Sequence, residues 1–280
     1  MSLSPRRVTG GTGARAVPDE GSAGVEARKT AEAENLLTDE DAYRDAWRLF
    51  LAGSDEKATT HAYLRRVVEQ LPSRKVFLDV GAADGTTTRY LTPFFEHTVC
   101  IEPSEPMRRA LARACPQAEL VAEPVSEARV EARADLALLS HVLYYVPRAQ
   151  WTATVARVLG WVAPGGVLLL VLQDPDNACM RMVRHFTGSR FDLRELAEEL
   201  AALPPGLVAD ARLDVVPARY RSRDLDETVR VAGFHLSVPG CEPPAREAVE
   251  AYVRQHLGDG EGGYAMRHDQ HVLRVTRPPA

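Results

Sequence analysis

The sequence predicts an α/β fold: a doubly wound, mainly parallel sheet with helices on both faces. Three observations carry this. From Lys75 onward short apolar runs alternate with amphipathic stretches of helical period. A loop from Gly81 to Gly85 joins the first apolar run directly to a helix start, and the densest apolar run, 167–172, is flanked by Gly165-Gly166 and Asp174.

Element by element, residues 1–34 are rich in Gly, Ala, Ser, Pro and charge without apolar periodicity, so a disordered tail is predicted there. Thr38, followed by Asp39, Glu40 and Asp41, reads as a helix N-terminus. Tyr43, Trp47, Phe50 and Leu51 then recur at helical spacing until Gly53-Ser54 interrupts them. A second helix is expected over 57–70, carrying Tyr63, Leu64, Val67 and Val68, with Pro72 as its stop. Strands are expected at 76–80, 98–101, 119–122, 136–139 and 167–172, and helices at 86–95, 105–114 and 150–162. Beyond Asp174 the pattern gives helices near 179–186, 193–202, 225–232 and 245–256. A mixed stretch at 211–220 and a terminal strand at 270–276 are expected to complete a seven-stranded sheet. Residues 35–280 therefore read as one domain: an N-terminal helical lid (35–72), a core (75–174), and C-terminal helices and strands (175–280).

Composition narrows the function classes. The chain has 280 residues, a formal net charge of −5 and 26% charged residues. An acidic balance argues against a grip on nucleic-acid phosphates. No apolar run approaches the roughly 18 residues needed to cross a bilayer, and the first thirty residues lack the continuous apolar segment of a secretory signal. Cys100, Cys115, Cys179 and Cys241 show no metal-like or redox spacing and read as reduced thiols of a cytoplasmic protein. Lysine occurs only at Lys29, Lys57 and Lys75, so 31 of the 34 basic residues are arginine, which reads as genome bias.

The sharpest local signal is Val76-Phe77-Leu78-Asp79-Val80-Gly81-Ala82-Ala83-Asp84-Gly85. Gly81 and Gly85 allow close approach of backbone to a ligand, and the following helix supplies unpaired N–H groups. A tight strand-to-helix connection is the plainer reading of the same residues. Glu102 ends the next expected strand, 21 residues after Gly81, where a carboxylate can accept both hydroxyls of a ribose. A dinucleotide site would place glycine at Ala83 and Thr86, and Asp79 and Asp84 make a poor cradle for pyrophosphate. They suit a cationic ligand better.

These residues resemble the first motif of class I S-adenosylmethionine-dependent methyltransferases, D/E-x-G-x-G-x-G, with Ala83 replacing the middle glycine. The resemblance implies a Rossmann-like methyltransferase fold whose cofactor, S-adenosyl-L-methionine, leaves as S-adenosyl-L-homocysteine, with no metal. It places Gly81, Ala82 and Gly85 against the methionine part, Asp79 at the loop or ammonium end, and Glu102-Pro103 at the ribose. Met107 would flank the adenine, a core methionine being the other reading. Asp135-Leu136-Ala137-Leu138-Leu139-Ser140-His141 resembles the fourth-strand motif, with Ser140 at the cofactor, and Ala163-Pro164-Gly165-Gly166 resembles the turn before strand five.

A narrower likeness follows. The segment Tyr43-Arg44-Asp45-Ala46-Trp47 through Gly53-Ser54-Asp55-Glu56 resembles the N-terminal segment of histamine N-methyltransferases, and Glu102-Pro103-Ser104 and Leu143-Tyr144-Tyr145-Val146 resemble later motifs of that family in the expected order. It implies that Glu56 contacts the acceptor amine; a solvated helix-start glutamate is the alternative. The family's acceptor-side glutamine is His141 here, a group able to hydrogen-bond the acceptor or take its proton. Tyr144 and Tyr145 would wall the pocket, one of them being also readable as core. The family's C-terminal asparagine has no counterpart in Arg267-His268-Asp269-Gln270-His271, where His268 is the nearest match. His271 and Asp269 are expected on one face of the last strand and His268 on the other, which argues against a metal site.

The sequence thus points to methyl transfer onto a nitrogen of a small amine or imidazole-like metabolite, with Glu56 and His141 as catalytic candidates. No nucleic-acid or membrane partner is expected, and a monomer and a homodimer are both open. The alternatives are an O-methyltransferase acting on a phenol, hydroxyl or carboxylate of a secondary metabolite, and a non-catalytic S-adenosylmethionine-binding regulator.

Overall fold

Alternating side chains along the central strands point to two different helical layers, and both layers are apolar. The computed structural model describes residues 40–203 and 206–280; the expected tail at 1–34 lies outside them. Two helices come first, α1 (Glu40–Gly53) and α2 (Glu56–Glu69), then β1 (Val76–Val80), α3 (Thr86–Leu91), β2 (His97–Ile101), α4 (Glu105–Ala114), β3 (Glu119–Val121) and β4 (Ala134–Ser140). Next are α5 (Trp151–Trp161), β5 (Val162–Gln173), α6 (Ala178–Thr187), α7 (Leu193–Ala201), β6 (Asp210–Val216) and β7 (Arg219–Ser222). The chain closes with α8 (Leu225–Leu236), α9 (Arg246–His256), β8 (Tyr264–Arg267) and β9 (Gln270–Thr276).

Seven strands form one sheet in the order β3-β2-β1-β4-β5-β9-β6. The first five are parallel, and β9 runs antiparallel to both of its neighbours. One face buries Leu78, Val80, Leu139, Leu168 and Leu170 against Trp151, Val155 and Leu159 of α5 and Leu193 and Leu196 of α7. The other face buries Phe77, Leu136, Leu138, Leu169 and Val171 against Tyr63, Leu64, Val67 and Val68 of α2. Most of α2 is therefore a sheet-flanking helix, and its first turn alone reaches the site described below.

The sheet order reverses between β1 and β4, and a crevice forms at such a point beyond the carboxyl ends of the strands. The residues that follow those ends are Gly81, Glu102 and His141.

Four expectations need correction. The helix expected over 86–95 ends as an α-helix at Leu91 and tightens into a 3₁₀ turn, Thr92–Phe94, because Pro93 cannot donate to the ladder. Strand β5 starts at Val162 rather than after the glycines; Gly165 at φ +75° and a register shift between Ala134 and Leu136 absorb the turn. The mixed stretch splits at Pro217, and only β6 joins the main sheet. Strand β7 pairs instead with β8, which the sequence did not suggest, in a separate two-stranded ribbon. Finally, His268 and Asp269 lie between β8 and β9, so the expected sharing of one strand face by Asp269 and His271 does not arise.

The inner residues of that ribbon, Tyr220 and Met266, pack with Phe50 of α1, Met180 and Met182 of α6, and Val229 and Ala232 of α8. This second apolar cluster also takes in Tyr144 and Phe191, which pack against the first cluster as well.

Candidate active site

The loop after β1 is shaped by three consecutive constraints. Gly81 has φ +76°, and a Cβ there would sit 2.4 Å from Cγ2 of Val142. Gly85 has φ +81°, and its Cβ would meet Cδ1 of Leu111 at 2.8 Å. Between them Ala83 holds φ +48°, a left-handed conformation costly for any residue with a Cβ. The N–H groups of Gly81 and Ala82 donate to the carbonyl of Ile101 at 2.7 and 3.2 Å, which fastens the loop to β2. Ala82 itself is buried.

Two carboxylates frame this loop. Asp79 is buried and accepts the hydroxyl of Thr88 at 2.7 Å. Burial, with Glu102 nearby, pushes its carboxyl up to about 6, against the pull of Thr88 and Lys57. Glu102 is 7% exposed. Its Oε2 accepts the N–H of Ala83 and its Oε1 the N–H of Ser104, each at 2.8 Å. A carboxylate oxygen can accept twice, so each retains capacity for one further donor, as a ribose diol requires. Arg108 donates to the carbonyls of Glu102 and Pro103 at 2.8 and 2.9 Å, fixing the turn into α4. Met107 is 39% exposed, which removes the core reading of that side chain. Ser140 is half-buried at the end of β4. The free lone pairs of Glu102 and an acidic rather than basic cradle fit a cationic adenosyl cofactor.

Beyond the end of β4, the first turn of α2 meets the segment between β8 and β9. Oε2 of Glu56 lies 3.3 Å from Nδ1 of His268, and Oε1 lies 3.9 Å from Nε2 of His141. Nε2 of His268 is 3.0 Å from the hydroxyl of Ser54, which also accepts the N–H of Glu56 at 3.0 Å. With that acceptance made, the Ser54 hydroxyl is free to donate to Nε2, leaving an Nδ1–H facing Glu56. The geometry of the Nδ1 contact falls short of an aligned hydrogen bond, so proximity and charge hold it.

Burial alone would raise the Glu56 carboxyl. The contact with His268 and the charges of His141 and Lys57 outweigh it and hold the group down at about 2. Burial depresses His141, with Lys57 and His268 adding to the shift and Glu56 opposing it. His141 has φ +60°, a strained conformation held by its N–H bond to the Val171 carbonyl at 2.8 Å. Its ring stacks on Tyr144 with centroids 5.8 Å apart. The Tyr144 hydroxyl accepts the N–H of Gln173 at 2.8 Å, and burial pushes its phenol well above the usual range. Glu56, His141, His268 and Tyr144 thus come together, whereas Tyr145 is 62% exposed and stands outside the group.

Three further residues belong to this neighbourhood and were not singled out from the sequence. His235 of α8 meets Phe50 edge-on at 4.9 Å, and its buried Nε2 has no hydrogen-bond partner; burial depresses it to about 3. Gln270 is fully buried, accepting the hydroxyl of Thr60 at 3.0 Å while its Nε2 is unpartnered. Lys57 lies with Nζ 5.6 Å from the ring centroid of Trp47 and acts electrostatically on Glu56, Asp79 and His141. The rarity of lysine in the chain was the one available signal for it. Among the described residues no cluster of three or more His, Cys, Asp and Glu side chains is arranged to hold a metal ion. No described helix is long and apolar enough to cross a membrane.

Residues 54–236 match the family model of the methyltransferase domain. No protein of curated function matches the chain. Among solved structures, the chain resembles the N-methyltransferase NodS of Bradyrhizobium japonicum WM9 in complex with S-adenosyl-L-homocysteine. That likeness has a TM-score of 0.51 at 17% identity, covering 85% of this chain and 100% of that one. It also resembles the YcgJ protein of Bacillus subtilis, with a TM-score of 0.55 at 12% identity over 79% of this chain and 100% of that one. At such identities the likeness is one of fold.

Proposed function

Because the chain belongs to the methyltransferase-domain family, we propose that it uses S-adenosyl-L-methionine to methylate a nitrogen of a small amine or imidazole-like metabolite. The observation that carries this reading is Glu56: a buried carboxylate, held ionised, beside His141. Among the described residues no lysine or arginine lies within ion-pair distance of its negative charge, which faces histidines. A cationic or hydrogen-donating acceptor completes it.

The likeness of the Tyr43 to Glu56 segment to histamine N-methyltransferases supports the same assignment. His141 in place of that family's glutamine separates the acceptor from histamine, because imidazole and amide select differently. Bound S-adenosyl-L-methionine supplies the activated methyl on a sulfonium. The chain's residues do the rest. Asp79, Gly81, Ala82, Gly85, Glu102, Pro103, Met107 and Ser140 seat the cofactor. Glu56 and His268 orient the acceptor nitrogen, and His141, kept neutral by burial, takes its proton directly or through water. Tyr144 shields the reacting atoms from water.

The depressed His141 also favours a second reading, in which it removes the proton of a hydroxyl and the product is an O-methyl compound. Incubating the protein with S-adenosyl-L-methionine and a metabolite extract, then searching for one-methyl mass shifts, identifies the acceptor. Repeating the assay with Glu56→Gln separates the two readings: a large loss marks a cationic nitrogen acceptor, and a small one sinks that assignment.

A further inference from the structure

We propose that the cavity behind the Gly53 to Glu56 turn binds a small oxyanion, a phosphate or carboxylate borne by a metabolite, at a site separate from that of methyl transfer. The proposal holds whichever acceptor is methylated.

The cavity, of about 510 Å³, has the size of a small-molecule site, and none of Gly81, Glu102, Glu56 and His141 lines it. Its polar lining is Ser54, Asp55, Thr59, Arg219, Arg221, Arg267 and Asp269. Strand alternation gathers the arginines. Tyr220 of β7 turns inward and is buried, so Arg219 and Arg221 take the outer face, and the β7–β8 register sets Arg267 directly opposite Arg219. Like charges placed opposite one another across an antiparallel pair repel, and a bound anion removes that cost.

The two carboxylates at the cavity are already committed. Asp269 takes the N–H of Ala218 at 3.1 Å and the guanidinium of Arg267. Oδ1 of Asp55 takes the backbone N–H of Arg219 at 2.6 Å, and the Asp55 N–H returns to the Arg219 carbonyl at 3.2 Å. Among the described residues no carboxylate lies within ion-pair distance of the guanidinium of Arg219 or Arg221, although Arg221 lowers the carboxyl of Asp259 through space. Two guanidinium forks with free donors on one face suit an oxyanion with two or three oxygens. The wall between this cavity and the site is the turn itself: Ser54, bridged to Tyr220, faces His268, and the next residue but one is Glu56.

Titration calorimetry on the full chain, with inorganic phosphate, pyrophosphate and citrate as probes and sodium chloride at matched ionic strength as the blank, tests this. At least one probe should bind saturably to the native chain, and the Arg219→Ala/Arg221→Ala variant should bind it at least about tenfold more weakly. S-Adenosyl-L-homocysteine should bind both proteins alike, which also reports that the variant is folded. Response to phosphate or pyrophosphate against citrate tells which oxyanion chemistry the cavity selects. No saturable binding of any probe, or equal binding by the variant, overturns the proposal.

Discussion

Glu56 and His268 meet at 3.3 Å inside the protein, one at the first turn of a helix near the N-terminus and the other in the link between the last two strands. Both side chains are almost wholly buried, so this contact ties the first turn of α2 to the end of the fold through polar rather than apolar surface. Replacing Glu56 by Gln preserves shape and removes charge. With a cationic acceptor, the expected loss in kcat/KM is about 2–3 kcal/mol, on the order of 100-fold, the worth of a buried charge-assisted hydrogen bond. Cofactor affinity measured by calorimetry should stay as it was.

The same carboxylate makes stability depend on pH. Its folded value of about 2 lies below the ordinary 4.5, so the unfolded chain binds the extra proton first. The stabilisation is fully present above pH 4.5 and is lost as pH falls through about 2. Urea unfolding of native protein and Glu56→Gln across that window should converge by about 3 kcal/mol. Parallel curves would show that the carboxylate is not held down.

With His141 as the proposed base, its titration sets the acid side of the activity profile. Burial depresses it from 6.5, so the neutral imidazole persists below that pH and turnover should remain high there before falling. The variant His141→Ala should lose the limb and most of kcat. A limb unchanged in His141→Ala would assign the proton to another group.

Ala83 occupies a left-handed conformation at φ +48° in the middle of the cofactor loop. Glycine adopts it without the Cβ penalty, though it gains freedom in the unfolded chain, so Ala83→Gly should stabilise by about 0.5–1 kcal/mol. Denaturant midpoints give the answer. Affinity for S-adenosyl-L-homocysteine should hold, because the N–H that meets Glu102 belongs to the backbone.

Glu102→Ala removes the carboxylate proposed to hold the ribose and should weaken S-adenosyl-L-homocysteine binding by about 10- to 100-fold. Unaltered affinity would detach Glu102 from the cofactor.

What the sequence disclosed and what it hid follow from how local each feature is. The strand at Val76–Val80 and its glycine loop were legible because apolar run, turn and helix start are contiguous. The β7–β8 ribbon was not. Its strands are four residues each, carry arginine on the outer face, and pair with each other across a long connection that holds two helices. The meeting of His268 with Glu56 was approached through family likeness, since strand alternation alone turned His268 the wrong way. The alternation failed because β9 begins at Gln270, two residues later. His235 and Gln270 gave no sign, because an unpartnered buried nitrogen is a property of the packed chain. Strain at Ala83 and His141 is equally invisible in the letters, although the missing glycine at Ala83 marked the place.

Gly81 and Val142 touch across the crevice so closely that no methyl group fits between them. One of these residues precedes the cofactor loop's sharpest turn and the other follows His141. Val142 fills the space a Cβ at Gly81 would need, so enlarging either residue displaces both the loop after β1 and the segment that carries His141.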